Sequence, residues 1–363
     1  MAAADVAGYQ MRGLPSLADH VVGDRQERPA ARDAFAPRII VSASIAYDLI
    51  MTFPGSFQDY ILTDKAHVLS ISFLFDSLVR KRGGIGGNVA WSLALLGERP
   101  ALVGAGGADF AEYRDAVEAV GVDTTLVLDV PDLLTGSSFM MSDRTGNQIA
   151  GFYPGASDRA EQISLREIAA GASLGVVSAT ALNVMNQHAA EIAASGTKLV
   201  FDPAQQVIAM PGEDIAAGVD LAWMVVGSDY EHGIVTDKTG LTPESMAERV
   251  PVVVVTLGAD GSRIHADGAW HDIPVAPAEP VVEVTGGGDA YRAGLLKGYL
   301  LGLPWPVAGR MGSLSAVYAV EKQGPQEHEY TPVDFVARFN QTFPEYADAV
   351  TVEQLSAPAG AGV

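Results

Sequence analysis

From Arg38 onward, short β-branched runs alternate with stretches whose apolar positions recur at helical spacing, the pattern of a mainly parallel sheet covered by helices on both faces. The runs Ile39 to Ala43, Ala101 to Gly104, Leu174 to Ser178, Lys198 to Asp202, Leu221 to Val226 and Val252 to Leu257 predict strands. Helices are predicted over Asn88 to Leu96, Phe110 to Val120, Gln187 to Ala194 and Pro243 to Arg249, and again over Ala290 to Leu301, Val307 to Lys322 and Pro332 to Thr342. A hairpin is expected from Ser262 to His265 and Trp270 to Val275 across the Asp267-Gly268 turn, followed by a strand pattern at Val281 to Val284.

Two stretches break the alternation. Residues 45–79 carry a turn at Pro54-Gly55 and an apolar run from Val68 to Leu74. In residues 136–153 the strand Ser138 to Ser142 reaches the turn Asp143 to Asn147 and returns through Gln148 to Tyr153, a hairpin signal. These inserts are expected to form a small sheet at one edge, a flap over a site at the carboxyl ends of the parallel strands. Residues 1–37 mix Arg, Asp, Glu and Pro without periodicity and are read as a mobile extension, with a docked arm as the alternative. That leaves 38–350 as one α/β domain and 351–363 as a flexible tail.

Composition narrows the chemistry. The 363 residues include 44 acidic and 23 basic side chains, a net charge of −21, no cysteine and 39 glycines. Without cysteine there are no disulfides, thiolate metal sites or thiol nucleophiles, and the chain suits a reducing cytoplasm. The acidic balance argues against nucleic acid as a partner, since phosphate neutralisation needs a basic face. No run of 18 apolar residues predicts a membrane span. Any anionic ligand must therefore be held by local backbone dipoles.

Val284 to Tyr291, with Gly286, Gly287, Gly288 and Asp289 at its centre, supplies such a place. Consecutive glycines let several N–H groups point at one spot, and the following helix adds the positive end of its dipole. Asp289 at the lip is either a helix cap or a base that takes a proton from an attacking hydroxyl beside a bound phosphate. A second glycine run, Arg82 to Ala90, lacks the Gly-Lys-Ser/Thr of a P-loop. Its flat ledge and Asn88 suit a polyhydroxylated ring, the alternative being a loop with an N-capping Asn.

Together the two motifs resemble those of the ribokinase-like (PfkB) family of sugar and nucleoside kinases. The resemblance spans about Arg38 to Tyr346. It implies a three-layer α/β/α sandwich with a mainly parallel central sheet and a small β-sheet lid. Within the family the chain is most similar to bacterial adenosine kinases of the actinobacterial type, in Ser44 to Asp48, Phe53 to Phe57, Ser70 to Leu74, Gln148 to Ala156, Asp202 to Gln206 and Asp229 to Glu231.

The resemblance implies an ATP-dependent phosphotransferase acting on the ribose 5′-hydroxyl of adenosine. Asp289 would be the base and Gly286, Gly287 and Gly288 the anion hole. Asp48 would accept from the ribose hydroxyls, helped by Gly84 and Asn88. Ser44 and Phe152 would flank the base, and Gln205 and Gln206 would lie near the acceptor. Thr256, Gly258 and Gly261 resemble the nucleotide loop. Glu231, with Ser228 where the family has Asn, resembles the acid that acts on Mg²⁺ through water. Glu283 replaces the Asp of a monovalent-cation loop, which puts K⁺ activation in question. Related enzymes dimerise through the lid, which would bring Ser72 to the neighbour's site. The competing readings are a ribokinase-like or fructokinase-like sugar kinase, a kinase for inosine, guanosine or cytidine, and a non-catalytic nucleoside sensor. Phe152 and Phe139-Met140-Met141 favour a flat apolar aglycone over a bare sugar.

Overall fold

The computed structural model describes residues 38–60 and 71–356. Seven parallel strands, β1 (Ile39–Ser42), β4 (Ala101–Gly107), β5 (Asp123–Val130), β8 (Leu174–Val177), β9 (Lys198–Phe201), β10 (Met224–Ser228) and β11 (Val252–Thr256), form most of a nine-stranded sheet. The antiparallel hairpin β12 (Ser262–Ala266) and β13 (Ala269–Ile273) completes it, in the order β13-β12-β11-β10-β9-β8-β1-β4-β5.

Alternate side chains of each strand leave by opposite faces, and the two cores follow that period of two. Ile40, Val177, Phe201, Val225 and Val253 pack on one side with Met185 and Ile192 of α3 (Leu182–Ala194), Ile215 of α4 (Gly212–Leu221) and Val235 of α5 (Asp229–Thr239). Ile39, Val41, Val176, Val200 and Val254 pack on the other with Val89 of α1 (Ile85–Leu95), Leu295 of α7 (Gly287–Leu300) and Ala308 of α8 (Trp305–Val320). The result is the expected α/β/α sandwich with a mainly parallel central sheet.

The lid is a separate four-stranded sheet in the order β3-β2-β6-β7, built from β2 (Ala46–Phe53), β3 (Ser77–Gly83), β6 (Gly136–Asp143) and β7 (Gln148–Tyr153). The Asp143 carboxylate organises its tip, accepting from the N–H groups of Phe57, Thr145 and Asn147 at 2.8 to 2.9 Å. Residues 61–70 of the predicted apolar run lie outside the described residues. Phe73 turns into a ring cluster with Phe53, Phe57, Tyr60 and Phe75, while Leu74 is exposed.

Several boundaries differ from the pattern reading, for local reasons. Leu221 ends α4, and the strand starts only at Met224, because the Trp223 N–H first ties the chain to Leu199. Val281 to Val284 join no sheet; the N–H groups of Val282 and Glu283 bond instead to the Val320 carbonyl, and Val284 is 75 % exposed. Strand β5 was hidden by its Asp and Thr residues and by a register shift against β4. Helix α5 escaped because it carries no clean apolar stripe, and α4 because its buried face is only Ile215, Gly218 and Val219.

The tail expected from 351 begins with a docked helix, α10 (Val352–Ser356). Its Leu355 is buried beside Leu96, Phe335 and Phe339, and its carbonyl lies so close to Gly97, at φ 81°, that no side chain fits there. We predict that Leu355→Ala costs about 2–3 kcal/mol, the low end for a buried leucine because a terminal helix can settle into the gap. A urea midpoint equal to that of the parent protein would show that α10 contributes nothing.

Candidate active site

The carboxyl ends of β1, β8, β9 and β10, the first turns of α1 and α7 and the underside of the lid surround one cleft of about 730 Å³. A crevice at the carboxyl ends of parallel strands is where an open α/β sheet leaves its binding site. The sequence placed Ser44, Asp48, Gly84, Asn88, Phe152, Gln205, Gln206, Glu231, Gly286, Gly288 and Asp289 at a site, and all of them line this cleft.

Helix α7 starts at Gly287 with Gly286 as its N-cap, at φ 81°, a conformation that glycine adopts without strain. Asp289 is thus the third residue of the helix rather than its cap. Among the described residues, no backbone carbonyl accepts from the N–H groups of Gly288 and Asp289, whereas those of Gly287 and Ala290 are bonded to Val284 and Gly286. The two open donors sit at the positive end of a 14-residue helix and can hold an anion. Gly287 does not line the cleft but packs against Val320.

Asn88 is the fourth residue of α1, whose N-cap is Gly84, so it is not a capping residue either. Its side-chain amide donates to Asp289 Oδ2 at 2.8 Å, and its carbonyl accepts from Gln326 Nε2 at 2.9 Å. Gln326 is held in turn by the Tyr113 hydroxyl, which donates to the Gly83 carbonyl at 2.7 Å. The other Asp289 oxygen faces Arg292 Nη1 at 3.4 Å, and Arg292 is gripped by Asp202. Burial raises the Asp289 pKa, with Arg292 and the Asn88 amide pulling it back and Glu231 adding to the rise. Sequence reasoning missed Arg292, Asp202 and Gln326. Only Arg292 left a trace, three residues beyond Asp289 on the same helix face.

Asp48 reaches the cleft from β2 across a space that Gly83 leaves open: a side chain at Gly83 would overlap its carboxylate. Gly84, at φ 81°, lies so close to the Ser44 carbonyl and the Ala46 N–H that a side chain there would collide with both, and this closes the first motif onto the loop after β1. Asp48 is 7 % exposed, and among the described residues nothing hydrogen-bonds its carboxylate. Burial, with the nearby charges of Glu283 and Asp289, pushes its pKa up to about 7. It is an acceptor without a donor, facing the cleft.

Phe152, 57 % exposed on β7, and Met140 of β6 present an apolar patch over the cleft. Below it, Gln206 Nε2 donates to the Thr180 carbonyl at 2.6 Å, leaving its own carbonyl free, and Gln205 is exposed beside it. Ser44 Oγ is occupied by the Ile85 N–H at 3.1 Å. Ser228 and Glu231 form a capping box for α5: Ser228 N–H donates to Glu231 Oε2 at 2.7 Å, and Glu231 N–H to Ser228 Oγ at 3.2 Å. Ser228, Thr256, Gly258 and Gly261 do not line the cleft; Ser228 adjoins it through Glu231, Thr256 stands opposite Ser228 in the β10/β11 register, and both glycines are at positive φ. Ser72 is exposed on the segment before β3. Glu283 accepts from the Gly324 N–H at 3.0 Å.

A divalent ion in this cleft would need substrate oxygens to complete its ligands. Among the described residues no cluster of three or more His, Asp or Glu side chains could cage a metal, and magnesium is ordinarily held by one or two carboxylates plus substrate phosphate oxygens. Glu231, which lines the cleft, is the carboxylate that could serve it through water, and the ion would neutralise phosphate charge. Among the described residues no helix is long and apolar enough to cross a membrane.

The unpartnered Asp48 has a measurable cost. Its folded pKa lies above the ordinary 3.8, so the folded state holds the proton more tightly. Its contribution to stability is complete below about pH 4 and is lost as pH rises to about 7. Asp48→Asn is expected to unfold at a higher temperature than the parent at pH 8, with the gap closing towards pH 4. Equal melting temperatures at pH 8 would refute the desolvated carboxylate.

Comparison with known proteins agrees with this geometry. The sequence profile of the pfkB family carbohydrate kinases matches residues 51–332. A nucleoside kinase of Methanothermobacter thermautotrophicus is 31 % identical over 296 residues, 80 % of this chain and 95 % of the relative. The solved structure of a Burkholderia thailandensis nucleoside kinase in complex with inosine is 35 % identical, with a TM-score of 0.77 over 84 % of this chain and 98 % of that one. A Thermotoga maritima ribokinase, 19 % identical with a TM-score of 0.70 over 84 % of this chain and 99 % of that one, shares the fold. These relatives are named as nucleoside kinases and a ribokinase, so the expected special likeness to adenosine kinases reduces to the broader class. With its two glycine motifs meeting at one buried aspartate under a β-sheet lid, the chain belongs to the pfkB family of carbohydrate kinases.

Proposed function

We propose that the protein is an ATP-dependent kinase that phosphorylates the ribose 5′-hydroxyl of a purine nucleoside by direct in-line transfer. The observation that carries this reading is one cleft holding an unpartnered buried acceptor, Asp48, and a buried carboxylate, Asp289, beside two open N–H donors. Asp48 and Asn88 suit paired ribose hydroxyls. Phe152 and Met140 suit a flat base, with Gln205 and the free Gln206 carbonyl offering hydrogen bonds to its edge. Adenosine is the acceptor implied by the sequence resemblance, and inosine is the ligand of the Burkholderia structure; the cleft is compatible with either.

In this reading Asp289 accepts the 5′-hydroxyl proton as the oxygen attacks the γ-phosphorus. The bond to the β,γ-bridging oxygen breaks and leaves ADP, and the Gly288 and Asp289 N–H groups take up charge on the transferred group. Thr256, Gly258 and Gly261, after β11 and next to Ser228 through the β10/β11 register, are the residues this reading assigns to the nucleotide, and Glu231 would act on its Mg²⁺ through water. Glu283, one methylene longer than an Asp, accepts from the Gly324 N–H, and this reading does not call on K⁺. Pairing of two lids, with Leu74 covered and Ser72 near the partner's cleft, is the assembly that the exposed lid supports.

Purified protein with ATP and Mg²⁺ is expected to form ADP with adenosine or inosine well above ribose and fructose. A preference for the bare sugars, or binding without any transfer, would refute the proposal. Asp289→Asn should lower kcat by about 10²–10⁴-fold with little change in nucleoside binding, since a general base acts in the transition state.

A further inference from the structure

Among the described residues lining the cleft, Arg292 is the single basic side chain, and its charge is divided. Its Nε and Nη2 approach Asp202 to 2.7 and 2.9 Å, whereas Nη1 reaches Asp289 only at 3.4 Å. Asp202 follows β9, is fully buried, accepts a further bond from the Ser178 hydroxyl at 2.7 Å, and forms no part of the cleft wall. A buried carboxylate is costly unless paired, and here its partner is the same cation that faces the proposed base.

We propose that Asp202 and Arg292 are positioning residues for Asp289: Asp202 anchors the guanidinium fork so that Nη1 stands beside Asp289 over the anion hole, and it withholds part of that positive charge from the base. The inference rests on the reading of Asp289 as the base of a phosphoryl transfer. Nη1 lies 3.0 Å from where a Gly288 side chain would begin, so the fork occupies the space that glycine leaves. Lysine, a point charge on a flexible stem, cannot hold two carboxylates in this geometry.

The charged and polar groups facing Asp289 are Arg292 on its own helix, Asn88 from α1 and Glu231 from α5, with Asp202 beyond Arg292 and Asp48 across the cleft. Removing Arg292 leaves Asp202 and Asp289 as two unneutralised buried carboxylates, so Asp289 ionises only at higher pH. Removing the Asp202 charge gives the whole cation to Asp289, which then ionises at lower pH. The two deletions must act in opposite directions, which loss of packing would not produce.

The test compares the parent protein with Arg292→Met, Arg292→Lys and Asp202→Asn. Asp289 is titrated by ¹³C-carboxyl NMR, its signal identified by its loss in Asp289→Asn, and the pH dependence of kcat is recorded alongside. The Asp289 midpoint and the acidic limb of kcat are expected to rise by on the order of one pH unit in Arg292→Met and to fall in Asp202→Asn. Arg292→Lys is expected to keep the midpoint and lose on the order of tenfold or more in kcat, because charge is retained while orientation is not. An unmoved midpoint in Arg292→Met, or shifts of the same sign in both deletions, overturns the inference. Should Asp202→Asn not fold, Arg292→Met against Arg292→Lys decides alone. A parent protein that transfers no phosphoryl group would sink the reading of Asp289 as a base, while the NMR titration, needing no turnover, separately decides whether Arg292 acts on Asp289.

Discussion

The hydrogen bond from Asn88 to Asp289 joins two helices whose contact residues are 201 positions apart, and the site is arranged around it. It requires α1 and α7 to begin at the same depth. That depth is set by two glycine turns, at Gly84 and Gly286, each in a left-handed conformation. Behind Asn88 the chain through Gln326 and Tyr113 to the Gly83 carbonyl ties the same bond to the lid strand that makes room for Asp48. The two ends of the cleft are thus fixed to one another by a buried polar network, in which each member depends on its neighbours being satisfied.

This arrangement reconciles a chain of net charge −21 with a phosphate ligand. In the proposed reading, attraction comes from helix and backbone dipoles, which are rigid and need no reorganisation, and among the described residues a single guanidinium is admitted to the cleft. Even that cation is balanced by two carboxylates. Specific binding of a small anion can therefore coexist with a surface that repels polyanions.

Much of the fold was legible because its strands are buried on both faces and read as β-branched runs, and because the glycine motifs announce helix starts in a way few other residues can. What the chain did not reveal falls into two kinds. Asp202 and Gln326 are polar residues made important only by tertiary placement, and the spacing of Arg292 from Asp289 does not distinguish a buried ion pair from a solvated one. Ser228 and Glu231 carried a local signal with two meanings, since Ser-x-x-Glu ahead of a helix is a capping box whether or not the acid also faces a cleft. Val281 to Val284 had strand composition, but the N–H groups of Val282 and Glu283 are taken by the Val320 carbonyl rather than by a neighbouring strand.

Helix α10 has a practical consequence. It is seated against Gly97, just past the end of α1 opposite to Asn88, and the 11 residues of α1 span about 16 Å. An anchor grafted directly after Ser356 would leave the molecule on the side away from the mouth of the cleft. The protein could then be tethered to a sensor surface or fused to a second enzyme with its opening still turned to solvent.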